Sequence, residues 1–223
     1  MSATVIEMLS GILRFFPNIM IASLFVIGIL TGRMAWILVS IGGLVIAIIT
    51  LTLQYVMTKT IGIGDIPGKH MMDACSLIPV TQDSIYNNVP SLWIALTSFF
   101  LTFIFMNGLN IYSQAPVRTN DNSTSVQQRK GVGMISMVAV LILFVFLIMS
   151  RCTLSIWSFR LNAPTCESLL GVITGLAVGL GGGYLWWVLL DACGPEVYPD
   201  IHGVMIGTQP GLLHTNPIAC AKI

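Results

Sequence analysis

The chain has 223 residues, of which 55% are hydrophobic and 9% are charged, with 10 Lys and Arg against 9 Asp and Glu. A typical soluble domain carries about 25% charged residues, so this chain cannot cover a water-exposed surface. The composition excludes an ordinary soluble enzyme and a disordered regulator. It also excludes a protein that binds nucleic acid, which would need a basic surface. An integral membrane protein, with the lipid bilayer as its surroundings, is the class that remains.

Five segments are apolar over about 20 residues, the length that an α-helix needs to cross the hydrocarbon core of a bilayer. Backbone groups in lipid must be hydrogen-bonded within their own segment, so we predict an all-α, multi-pass transmembrane helical bundle. The predicted spans are 12–31, 34–57, 91–113, 132–150 and 168–190. They divide the chain into a helical bundle over residues 1–190 and an extramembrane tail over residues 191–223.

The first span is the least regular, because Arg14, Pro17 and Asn18 lie near its start. Two interpretations stay open at this point. The segment is either a bent helix at the membrane entry, or a regular span whose Arg14 side chain reaches up to the interface. Only Gly32 and Arg33 separate the first two spans, and so short a link predicts an antiparallel hairpin.

An odd number of spans assigns the connections to two faces of the membrane. The N-terminal head and the connections 58–90 and 151–167 share one face, called side A. The turn at 32–33, the polar loop predicted over 114–131 and the tail share the other face, called side B. Basic residues divide five against five between the two sides, so the positive-inside rule gives no orientation.

The sequence contains no recognisable catalytic or metal-binding motif. Its three histidines have no serine or carboxylate at a catalytic spacing, and the glycine patterns of nucleotide-binding loops are missing. We expect neither a metal nor a cofactor. The five cysteines are expected as free thiols, and two possible pairs are left open, Cys152 with Cys166 and Cys193 with Cys220.

The fifth span carries a glycine at every fourth residue: Gly171, Gly175, Gly179 and Gly183. This spacing places the four glycines on one face of a helix. Small residues let two membrane helices approach closely. We therefore predict that the fifth span packs at the centre of the bundle with this face against another helix. A substrate groove along the same face is the alternative.

Side A collects short motifs in the order seen in a known family. They are a lysine after the second span, a Pro-Ser pair that opens the third, a Ser-Arg pair that ends the fourth and an acidic residue before the glycines of the fifth: Lys69, Pro90-Ser91, Ser150-Arg151 and Glu167. In this order they resemble the type 2 phosphatidic acid phosphatase (PAP2) superfamily over about residues 35–190.

The resemblance implies a site in which one histidine attacks phosphorus, another donates a proton, and Lys and Arg hold the phosphate. This chain departs from that pattern at both histidines, since Trp93 and Trp157 stand in their places. Indole neither forms a phosphohistidine nor shuttles a proton. The resemblance thus implies an inactive protein that binds a lipid phosphate through Lys69, Arg151 and Arg160 without cleaving it.

The tail combines four prolines and four glycines with many apolar residues. The prolines and glycines prevent long helices, yet the segment is too apolar for a free disordered tail. We predict a non-enzymatic structural subunit of a larger membrane assembly, which binds partner subunits through the tail and the 58–90 connection. A respiratory-type complex and the membrane layer of a virus particle both fit. The alternative function is the inactive PAP2-like lipid-binding protein.

Overall fold

The computed structural model describes residues 3–32, 34–61, 89–113, 123–157 and 169–193. Over these ranges the fold is all-α and contains no strand, which confirms the predicted fold class. The helices are α1 (Ala3–Thr31), α2 (Met34–Val56), α3 (Leu92–Ser113), α4 (Ser123–Trp157) and α5 (Leu169–Ala192), and a π-helical turn (Met57–Ile61) continues α2.

Each of the five helices is long and apolar enough to cross a membrane. The spanning parts are Leu13–Thr31, Met34–Thr60, Leu92–Ser113, Lys130–Ser150 and Leu169–Ala192. At a rise of about 1.5 Å per residue, the shortest part is about 28 Å long, close to the thickness of the hydrocarbon core. The five helices therefore indicate a multi-pass integral membrane protein.

Several helices extend beyond the predicted spans. α4 has 35 residues and starts at Ser123, so the prediction of a loop over 114–131 is wrong from Ser123 onward. Residues 123–131 are mostly polar but contain no proline, so the helix begins several residues before the apolar run does. On the same side of the membrane, α5 continues to Ala192, and Cys193 after it is an exposed free thiol. Tail residues 194–223 lie outside the described residues.

The predicted hairpin between α1 and α2 is confirmed. Gly32 closes α1 in the left-handed conformation with φ of 66°, which favours glycine, and its N–H donates to the Ile29 carbonyl at 3.2 Å. Gly28 then lies against the backbone of Ile37, where a Cβ atom would come within 3.0 Å of the Ile37 nitrogen. The two helices thus run antiparallel and in close contact near their shared turn.

α3 occupies the centre of the bundle and packs against α1, α2, α4 and α5. Thirteen of its 22 residues are buried, against five of the 24 residues of α5. The prediction that the fifth span lies at the centre is therefore wrong. The reason is that α5 buries mainly its narrow glycine face, whereas α3 buries small residues on one side and the aromatic rings of Phe99, Phe100 and Phe103 as well.

Candidate functional site

The glycine face of α5 lies directly against the backbone of α3. A Cβ atom at Gly175 would lie 2.9 Å from the carbonyl oxygen of Ser91, and one at Gly183 would lie 2.7 Å from that of Phe99. At Gly179 it would overlap the Ser98 hydroxyl and the Ala95 carbonyl. Only glycine fits at these positions without a shift of the neighbouring helix.

The register of this interface shows that α3 and α5 are parallel. Residue numbers rise together along both helices, from Gly175 beside Ser91 to Gly183 beside Phe99. The carbonyl oxygens of Ser91, Ala95 and Phe99, each about one helical turn after the last, face glycines of α5, a geometry that allows weak Cα–H···O contacts. The contact is thus made largely by backbone atoms and leaves no room for a ligand between the helices.

The Pro90-Ser91 pair connects the start of α3 to two other helices. The Ser91 N–H donates to the Gly171 carbonyl of α5 at 3.1 Å, and the Ser91 hydroxyl accepts from the Ile94 N–H at 3.3 Å as a helix cap. The Pro90 carbonyl accepts a hydrogen bond from the Gln54 side chain of α2. In this structure the pair therefore fixes the position of α3.

Trp93, which stands at the proton-donor position of the PAP2 pattern, connects α3 to α1. Proline has no N–H, so Pro17 leaves the Leu13 carbonyl without the partner that a helix would supply four residues later. The indole N–H of Trp93 donates to this carbonyl at 3.0 Å. Trp93 is only 2% exposed, so its side chain has no access to a ligand at the surface.

Two glycines in the middle of α2 accept aromatic side chains from its neighbours. A Cβ atom at Gly42 would lie 2.5 Å from the indole nitrogen of Trp186, and one at Gly43 would lie 2.7 Å from the ring of Phe100. The space at Gly42 lets the Trp186 N–H reach the Leu38 carbonyl at 3.2 Å. This indole hydrogen bond joins α5 to α2.

A further glycine contact joins α3 to α4. A Cβ atom at Gly133 would lie 2.9 Å from the Gly108 carbonyl and 3.1 Å from the Tyr112 nitrogen. At Gly108 it would lie 3.1 Å from the Met137 side chain. Sequence reasoning missed this contact and the pair in α2. The available signals were the Gly-Gly pair inside the second span and the Gly-Val-Gly sequence at the start of the fourth.

The predicted phosphate-binding residues are only partly placed. Lys69 and Arg160 lie outside the described residues, as does Glu167. Arg151 and Trp157 belong to the last two turns of α4, but their side chains are not among those described. The structure thus brings Ser91 and Trp93 into the bundle and leaves the proposed lysine–arginine site as a prediction.

No protein-family model matches this sequence, and neither a curated protein nor a solved structure matches it. Among the described residues, no group of three or more His, Cys, Asp or Glu side chains is placed to hold a metal ion. The PAP2 resemblance accordingly stays a prediction made from short motifs. What the described part of the bundle presents is a set of helix contacts: α3 with α5, α2, α4 and α1.

Proposed function

We propose that the chain is a non-enzymatic, multi-pass membrane protein that serves as a structural subunit of a larger membrane-associated assembly. The observation that supports this most directly is that two residues of the side A motifs join helices of the bundle. Ser91 and Trp93 form hydrogen bonds to Gly171 and Leu13 of neighbouring helices. Residues that hold helices together in this way are not available to bind or turn over a substrate.

The packing of the bundle also supports a scaffold. Glycines at three contacts bring α5, α2 and α4 against α3, and each contact would be disturbed by a single added carbon. Interfaces of this kind fix helix positions rather than open to a substrate. A closely packed core with apolar outer helices is suited to a subunit that holds other membrane proteins in position.

The proposed docking segments are the tail over 191–223 and the 58–90 connection. Both are long enough to cover a partner surface, and the tail has the apolar content that a bound extended segment needs. In an assembly of fixed composition, these segments would bind neighbouring subunits on opposite sides of the membrane.

The test is to purify the tagged full-length chain from its native membrane in a mild detergent and to identify what remains bound. We expect protein partners at fixed stoichiometry. Deletion of residues 194–223 should release at least one of them while thermal unfolding of the bundle stays unchanged. A chain that purifies alone, from every mild detergent tried, would contradict the proposal.

A second assay addresses the enzymatic alternative. We expect no hydrolysis of phosphatidic acid, because tryptophans stand where the family pattern has its histidines. Turnover that survives purification and disappears in Arg151→Ala would overturn the non-enzymatic assignment. Bound phospholipid that is lost in the same variant, without turnover, would favour the inactive lipid-binding alternative instead.

A further inference from the structure

We draw no further inference here: the strongest candidate, the apolar groove on the outer surface of the α1–α2 hairpin, is an unpartnered helix face, and nothing in the structure shows what covers it.

Discussion

α3 and α4 are both long and apolar enough to cross the membrane, but α3 is surrounded by other helices and α4 lies at the outside of the bundle. The spanning part of α4 is the most apolar of the five, with a mean hydropathy of 3.0 against 1.8 for α3. Yet α3 buries thirteen residues, whereas α4 buries Gly133, Val140 and Leu147 among its described side chains. In this bundle the more apolar helix is therefore the one on the outside.

The physical reason is that lipid tails are as apolar as leucine, so burial of apolar side chains gives little driving force between helices. Polar and small residues are stabilised more by burial inside the bundle, because there they form hydrogen bonds and let helices approach closely. The buried Ser98 hydroxyl of α3 donates to the Ile94 carbonyl at 2.6 Å, and Ala95 presents its carbonyl to Gly179. α4 has long apolar side chains on its outer surface and loses nothing by facing lipid.

The largest expected effect comes from adding a side chain at the α3–α5 contact. Gly179→Leu would place atoms on the Ser98 hydroxyl and the Ala95 carbonyl, which belong to the most buried helix. Overpacking typically costs about 1–3 kcal/mol, and we expect at least the upper end because backbone atoms cannot rotate away. The measurement is the free energy of unfolding in detergent.

Gly181→Leu is the control for this prediction. Gly181 is two residues away on α5, is exposed, and has no neighbouring atom within 4 Å of an added Cβ. We expect a change within about 0.5 kcal/mol. Equal stability of the Gly179 and Gly181 variants would mean that the glycine face points to lipid.

The next largest effect is the difference in stability between truncating a phenylalanine of α3 and truncating one of α4. Phe99 of α3 is fully buried, with its ring edge-on to Phe100 at 5.1 Å between centroids, whereas Phe146 of α4 is 56% exposed. Phe99→Ala leaves a cavity and should cost about 2 kcal/mol, less than in a soluble core because the transfer part is small in lipid. Phe146→Ala should change the free energy of unfolding by less than about 0.5 kcal/mol. Similar losses in both variants would remove the distinction between an inner and an outer helix.

The sequence pattern predicts where the helices lie along the chain, but it does not predict which helices pack against each other. Length and hydropathy are properties of one segment, so the five spans and the hairpin at Gly32 follow from the sequence. The four-residue spacing likewise identifies which face of α5 carries its glycines. It does not reveal that α3 receives this face, because the aromatic and small residues of α3 give it no clear periodicity. The hydrogen bond from Trp93 to Leu13 joins residues 80 positions apart, and local pattern contains no information about such a pair.

A smaller effect concerns α2, which faces α3 on one side and Trp186 of α5 on another. Gly42→Ala would put a methyl group where the Trp186 indole now lies, and the hydrogen bond to Leu38 would be lost. The expected cost is about 1 kcal/mol, the usual contribution of one such bond. Gly131→Ala in α4 is the control, since no atom lies within 4 Å of an added Cβ there. A destabilisation of the same size in both variants would show that glycine content alone, and not the tryptophan contact, sets the result.

The smallest expected effect is the coupling between Trp93 and Pro17 through the Trp93–Leu13 hydrogen bond, which joins the central helix α3 to the outer helix α1. Trp93→Phe removes the donor and leaves the Leu13 carbonyl unpaired, at an expected cost of about 1 kcal/mol. In a Pro17→Ala background the new N–H at position 17 can bond this carbonyl, so Trp93→Phe should cost less than half as much.

A double-mutant cycle over these two positions measures the difference as a coupling energy of about 0.5–1 kcal/mol. Additive effects, within about 0.3 kcal/mol, would show that the proline does not prepare the carbonyl for the indole. Coupling of the expected sign would instead assign the proline in α1 and the tryptophan in α3 to a single interaction. Pro17 would then hold the outer helix α1 against the core, because the carbonyl that it leaves unpaired is the one that accepts the Trp93 indole N–H.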